Sequence, residues 1–482
     1  MSSFFLGRVL ETIESGGDRI AFRGHGGELS YADAGKVLRR LHASFGVEPG
    51  EVVALVGGNR PETLLAQFAI QLSGASVLLV GASSSTPDRL AMVEGAGVST
   101  LVVDPERENA AELAASAGPA RVRQLGYAAD LLAAQGESPF ELPDSVRVIF
   151  PSGGTTGVPK LIAHTGMYDG IAHIFPWEPH AGNRILVVAP LSHMTGNAGA
   201  LGGFLRGDLV VLYEKFDAGA VLHAIETEGL THLSLTPPRL SALLDHPGLA
   251  STDLSSVRSL SLGASPLPPA RLSQALEVFG PVVGQGYGLT ENPVVATIAA
   301  ADFDGHPHRL ASVGRIAPGS EAKIAGGGTE IGEVLVRGLA TMDGYFGQPE
   351  LTAAAFTEDG WLRTGDLGRF DEDGYLYLLD RTDDVIVTGE HGTKVYSTVV
   401  EHALLEHPRV EEAAVFGVDD GEHRLVHAVV VAREVTEAEL RAFLLTHFGA
   451  GHFVPKRIAF ADRLPLTGIG KVDKKKLLAM SK

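Results

Sequence analysis

The run Ser152-Gly153-Gly154-Thr155-Thr156-Gly157-Val158-Pro159-Lys160 gathers the residue types that hold phosphate. Glycines let backbone N–H groups approach an anion closely. Two threonines add hydroxyl donors, and Lys160 adds a compact positive charge. The run follows Val146-Arg-Val-Ile-Phe150, whose branched apolar residues read as a buried strand. A glycine-rich turn after a strand is expected to grip a nucleotide triphosphate. It is not the P-loop of common NTPases, which places Lys directly after Gly and Ser or Thr next. Here Val158-Pro159 intervenes and Leu161 follows. Taken alone, an ordinary flexible turn is the alternative.

Six further segments carry side chains with chemistry. They are Pro190-Leu-Ser-His193, Gly263-Ala264-Ser265, Gly286-Tyr287-Gly288-Leu-Thr290-Glu291, Thr364-Gly-Asp366-Leu-Gly-Arg369, Asp380-Arg381-Thr-Asp383-Asp384 and Leu464-Pro-Leu-Thr-Gly-Ile-Gly-Lys471. Each has a plain reading by itself. Tyr287 could be core, Asp366 could brace a turn, and Arg381 could be half of a surface ion pair. His193 could be a satisfied interior histidine, and Lys471 could be one more solvated lysine beside Lys474, Lys475 and Lys476.

In this order and spacing, with the Ser152–Lys160 loop, the segments resemble the acyl-adenylating (AMP-forming) superfamily over nearly the whole chain. Its members are acyl- and aryl-CoA ligases, peptide-synthetase adenylation domains and firefly luciferase. The resemblance implies roles. Ser152, Gly153, Gly154, Thr155, Thr156, Gly157 and Lys160 would hold the β- and γ-phosphates of ATP. Tyr287, flanked by Gly286 and Gly288, would stack on adenine, with Gly263, Ala264 and Ser265 on the other side. Thr290 would bond the α-phosphate, and Glu291 would position Mg2+. Asp366 would accept from the ribose hydroxyls, and Arg381 would contact ribose and phosphate. Lys471 would neutralise charge as a carboxylate attacks the α-phosphorus. His193 would gate the acyl pocket. Asp383 matches the family's hinge, about which a C-terminal domain rotates to bring the Gly389–Lys394 loop to the site. The implied cofactors are ATP, Mg2+ and coenzyme A. The implied partners are a carboxylic acid and either CoA or a separate carrier protein. A non-catalytic nucleotide-binding paralogue is the alternative from another class.

Two departures from the family pattern bear on the second step. Val387-Thr-Gly-Glu-His-Gly-Thr-Lys-Val-Tyr396 is longer than the usual glycine turn, and Val399 replaces a frequent Glu. Both put the thiol acceptor in doubt. The small residues after His193 (Gly196, Ala198, Gly199, Ala200, Gly202, Gly203) could leave room for a bulky acid or could permit close helix packing. Ser234-Leu-Thr-Pro-Pro-Arg239 offers no carboxylate for an amino-acid ammonium, which would be costly to bury unpaired. An aryl, polycyclic or fatty acid is therefore expected.

Elements must position these groups. Val52–Val56, Ser76–Val80 and Thr100–Val103 read as strands, alternating with helices over 62–72 and 87–94. Strands are also expected at 185–188 and 208–213, and helices at 219–228 and 271–279. Such alternation implies βαβ units and parallel sheet. From about residue 309 antiparallel strands are expected, including 333–337 and 374–378. An α+β unit follows from about 384, where Thr436 and Glu439 spell a capping box before an apolar helix. The expected fold class is α/β: a large N-terminal domain of βαβ-built sheets plus, by resemblance, a distorted β-barrel, and a smaller mobile C-terminal α+β domain. The expected domain bounds are 1–382 and 383–482.

At 482 residues the chain is long enough for more than one domain. With 58 acidic against 39 basic residues its formal net charge is −19, which disfavours nucleic acid as a partner. The absence of cysteine rules out disulfides, thiolate catalysis and Cys-ligated zinc. The N-terminus does not read as a signal peptide, and no apolar run reaches membrane-span length. A cytoplasmic monomer or homodimer is expected.

Overall fold

The computed structural model describes all residues except 1–2, 82–83, 108, 119, 135–140, 153–158, 180–181, 328–329, 389–392, 420–423, 467–471 and 481–482. Two large sheets dominate it. The first runs in the order Gly344–Tyr345, Leu161–His164, Val148–Pro151, Ser76–Val80, Val52–Val56, Thr100–Val103, Arg121–Gln124. Its inner strands are parallel, as continuous branched apolar runs require when both faces are covered. The helix Pro61–Leu72 is buried at every position, so it is apolar nearly all round and shows no polar stripe.

The second sheet runs Arg315–Ile316, Asn292–Ala299, Val283–Leu289, Ser259–Gly263, His232–Leu235, Arg184–Val187, Leu209–Leu212, Ile20–Gly24, Gly27–Ser30. Its central strands are parallel, but Val283–Leu289 and Asn292–Ala299 form an antiparallel pair. The βαβ pattern therefore ends before residue 309, earlier than the sequence reading put it. The turn between these two strands is Thr290-Glu291.

A four-stranded antiparallel sheet follows in the order Ser320–Ile324, Gly332–Gly338, Leu362–Phe370, Leu376–Arg381. It curls as a half-barrel around Val295, Ile324, Val334, Val336, Leu362 and Leu376. The expected strands 333–337 and 374–378 are present as Gly332–Gly338 and Leu376–Arg381, with Leu362–Phe370 between them.

In the C-terminal part, Val410–Asp419, Arg424–Ala432 and Arg457–Phe460 form a three-stranded sheet. The helices Ser397–Leu405 and Glu437–Phe448 contribute to its separate core of Val400, Leu404, Val415, Val430, Leu440 and Leu444. Thr436 caps the second helix in a reciprocal capping box with Glu439, as the sequence predicts. The architecture is mixed α/β with a curled sheet and a C-terminal α+β unit, in agreement with the expected fold class.

Candidate active site

Where the first sheet meets the second, sequence-distant segments converge. The antiparallel strands Val148–Pro151 and Leu161–His164 flank the glycine-rich run. Ser152 N donates to the Lys160 carbonyl at 2.7 Å, and Lys160 N donates to Ser152 Oγ at 2.9 Å. These two bonds pinch the base of the loop. Gly153, Gly154, Thr155, Thr156 and Gly157 lie outside the described residues, as do Gly389 and Lys471.

The exit strand of the loop reaches the Thr290-Glu291 turn. His164 Nε2 donates to the Thr290 carbonyl at 2.8 Å. Burial, opposed by that bond and by Asp343, holds the His164 ring below its ordinary pKa, so it stays a neutral strut. The Met342 N–H donates to the Glu291 carbonyl at 2.7 Å, tying the 341–346 segment to the same turn.

Tyr287, Asp366 and Arg381 form one cluster. The Tyr287 hydroxyl donates to Asp366 Oδ2 at 2.5 Å. Arg381 Nη1 reaches Asp366 Oδ1 at 2.8 Å and the Thr364 carbonyl at 2.9 Å. Burial and the neighbouring Asp366 push the Tyr287 phenol well above its ordinary pKa, so it remains a donor. The register of the curled sheet explains the pairing, because Asp366 and Arg381 are directly opposed across two antiparallel strands. Gly263 pairs with Gly286, and a Cβ at Gly263 would stand 2.7 Å from the Gly286 carbonyl oxygen. The next residue, Ala264, adopts φ +69°, a left-handed conformation that side chains seldom take. Ser265 follows it. A Cβ at Gly288 would meet the Pro293 carbonyl at 2.0 Å, so this tight turn tolerates only glycine.

A network joins the C-terminal unit to the strand that carries Arg381. Asp380 accepts from Arg381 N at 2.8 Å, Ser397 N at 2.5 Å and Ser397 Oγ at 3.2 Å. Lys474 Nζ donates to Ser397 Oγ at 2.8 Å and pairs with Glu401 at 3.0 Å. Lys475 and Lys476 are exposed, but Lys474 is not. The sequence reading, which set Lys474 among solvated lysines, is corrected: Glu401, Asp380 and Asp384, from other segments, surround it. Lys471 lies three residues before this anchor.

His193 occupies the N-cap position of the helix Met194–Arg206. The glycines after it divide. A Cβ at Gly196 would meet the Pro190 carbonyl at 2.3 Å, one at Gly202 the Phe175 ring at 3.0 Å, and one at Gly203 Ile185 at 2.7 Å. These three permit close packing and leave no pocket volume of their own. Gly199 has open space where its Cβ would be.

The sheet face beneath that helix is informative. Ile185, against which Gly203 packs, pairs with His232 and so shares its face. Across the neighbouring strands this face continues as His232, Ser234, Ser259, Ser261, Gly284 and Gly286. The opposite face carries Leu233, Leu235, Leu260, Leu262 and Val283, all buried. Parallel strands are normally covered on both sides. Here one face is small, polar and only partly covered beside the helix, and on its last strand it reaches Gly286. The sequence reading missed this polar face, although Ser, Gly and His alternating with Leu along three strands carried the signal. It also missed Tyr345, whose hydroxyl donates to Glu291 Oε1 at 3.1 Å. The flanking Gly344 and Gly347 were its sequence signal.

Comparison with known proteins agrees with this arrangement. A family described as AMP-binding enzyme matches residues 10–346, and its C-terminal domain matches residues 399–471. A medium/long-chain-fatty-acid–CoA ligase of Mycobacterium tuberculosis is 35% identical, covering 94% of this chain and 85% of that protein. A feruloyl-CoA synthase of an Amycolatopsis species is 36% identical, covering 93% and 94%. The solved amide bond synthetase McbA of Marinactinospora thermotolerans superposes with a TM-score of 0.87 at 33% identity, covering 99% of each chain. With a family match over most of its length and relatives above 30% identity along nearly all of it, the chain belongs to the AMP-binding enzyme family.

Proposed function

We propose that this enzyme is an AMP-forming acyl-CoA ligase acting on an uncharged-tail aryl, polycyclic or fatty acid. The observation that carries the proposal is the convergence of the Tyr287–Asp366–Arg381 cluster, of Ser152 and Lys160 at the base of the glycine-rich run, and of the Thr290-Glu291 turn. The acid carboxylate attacks the α-phosphorus of ATP and pyrophosphate leaves, giving an acyl-adenylate. A thiol sulfur then attacks the acyl carbonyl, AMP leaves with the bonding pair, and the thiol proton is lost.

The chain's own residues orient these steps. Lys160 faces the terminal phosphates, Asp366 and Arg381 hold the ribose, and Tyr287 packs on the base. Lys471 meets the charge that builds at the α-phosphate. Magnesium takes one or two carboxylates and otherwise phosphate oxygens and water. Glu291, at the turn beside Tyr345 and Lys160, would supply one such carboxylate. When bound, the ion neutralises phosphate charge.

The small, polar sheet face of His232, Ser234, Ser259, Ser261, Gly284 and Gly286 supports the acid class. On this sheet face His232 is pushed down to about 4 by burial, Arg206 and Arg258, so it is neutral near pH 7. A floor of glycine and serine suits a flat ring. Domain bounds at 1–382 and 383–482 with a hinge at Asp383 belong to the same proposal. So does a cytoplasmic setting, where ATP and CoA are supplied. No helix among the described residues is long and apolar enough to cross a membrane.

ATP–pyrophosphate exchange tests the reading. Exchange driven by an aryl or fatty acid is expected, and Lys471→Ala should lower it at least a hundredfold while ATP still binds. No exchange with any acid would leave only the nucleotide-binding paralogue. A second reading concerns the acceptor. The likeness to an amide bond synthetase along the whole chain, together with the departure of the 387–396 sequence from the family pattern, favours an amine in place of the thiol. Product analysis with CoA, with a carrier protein and with simple amines separates the acceptors.

A further inference from the structure

Tyr345 stands between two groups assigned to the nucleotide, and no role has been given to it. Its placement is over-determined. The short strand Gly344–Tyr345 pairs with Leu161–His164, with Gly344 opposite Ala163 and Tyr345 opposite Ile162. Backbone bonds from Asp343 N to the Ala163 carbonyl (2.8 Å) and from Phe346 N to the Leu161 carbonyl (2.7 Å) close the seam. On the other side, Met342 N bonds the Glu291 carbonyl and Asn292 Nδ2 bonds Thr341 Oγ1 at 3.1 Å. Tyr345 N donates to Thr352 Oγ1 at 2.9 Å. Gly344 makes the approach possible. Its φ is +149°, and a Cβ there would lie 2.5 Å from Thr352 Cγ2.

The side chain is 8% exposed and serves two partners. Its hydroxyl donates to Glu291 Oε1 at 3.1 Å. Its ring lies under the Lys160 ammonium, 5.0 Å from the ring centre, within cation–π range. One rigid aromatic thus holds an anion for the metal and a cation for the phosphates.

We propose that Tyr345 is a positioning residue that pre-sets the Glu291 carboxylate for magnesium and the Lys160 ammonium for the phosphates. The proposal rests on the reading of Glu291 and Lys160 given above. Its hydroxyl acts through Glu291 and its ring acts through Lys160, so two variants divide the functions. Tyr345→Phe keeps the ring and removes only the donor. Tyr345→Leu removes both.

Calorimetric ATP titration with and without Mg2+ tests this directly, since it reads binding and not turnover. In wild type, Mg2+ should tighten ATP binding. In Tyr345→Phe that Mg2+-dependent gain should shrink about tenfold, the loss expected of a hydrogen bond to a charged group, while metal-free ATP affinity stays within about twofold. Tyr345→Leu should in addition weaken metal-free ATP binding severalfold. A Tyr345→Phe variant with an unchanged Mg2+ gain would overturn the proposal. So would equal losses with and without the metal, which a general loosening of the fold would produce. Wild-type protein that binds no ATP at all would sink the nucleotide-site reading itself, and Tyr345 with it.

Discussion

His232 shows how burial and neighbouring cations together set a titration. Its Nδ1 lies 2.8 Å from Thr231 Oγ1, and no carboxylate offsets the burial and the two arginines that depress its pKa from 6.5 to about 4. In the unfolded chain the ring takes a proton below about 6.5, whereas in the folded chain it resists until about 4. The unfolded state therefore binds more protons across that window, and stability falls as pH drops through it. His232→Gln should remove this share. The decline in Tm between pH 7.5 and 5 should be shallower in the variant than in wild type, and parallel declines would show that other groups cause it. The Tyr287–Asp366–Arg381 cluster is the counterpart, where the Asp366 carboxylate accepts from both a phenol and a guanidinium.

Among elements, the helix Met194–Arg206 carries the sharpest contrast. Gly203 is pressed onto Ile185 and Val210, whereas Gly199 faces open space. Gly203→Leu would force a branched side chain into a filled core, which costs roughly 1–3 kcal/mol or more. It should lower Tm or prevent folding and is unsuited to probing substrate size. Gly199→Leu should fold normally, since replacing a helix-interior glycine recovers up to about 1 kcal/mol. Its effect should be on acids: exchange with the largest should fall first. An unchanged size ranking in Gly199→Leu would place the helix away from the acyl group.

For the whole molecule, the question is how the C-terminal unit is coupled to the rest. Thr382 N bonds the Gly365 carbonyl at 2.8 Å and Val385 N bonds the Arg381 carbonyl at 3.2 Å, while Asp383 is exposed at the turn between them. The Asp380–Ser397–Lys474–Glu401 network spans this turn. If the chain rotates here between half-reactions, fixing φ at residue 383 should separate them. Asp383→Pro is expected to keep ATP–pyrophosphate exchange within a few-fold of wild type and to slow acyl transfer to the acceptor at least tenfold. Normal transfer in a folded variant would place the pivot elsewhere.

What the sequence determined by itself was local or modular. Branched apolar runs between amphipathic stretches fixed the parallel strands, because only a covered sheet can bury them. Thr436 with Glu439 fixed a helix start, because both groups satisfy N–H donors three residues away. The glycine-rich run and the short motifs fixed the family, since those residue types in that order answer to one ligand. Tertiary structure decided what depends on register and on contacts between distant segments. Asp366 faces Arg381 because two antiparallel strands align them, and Lys474 is an anchor because Ser397 and Glu401 fold against it. Tyr345 gained its two partners only when a two-residue strand docked beside Lys160 and Glu291. The small residues after His193 split into packing and open positions because Phe175 and Ile185, from other elements, press on Gly202 and Gly203 while Gly199 meets open space, and no spacing rule in one dimension contains those contacts.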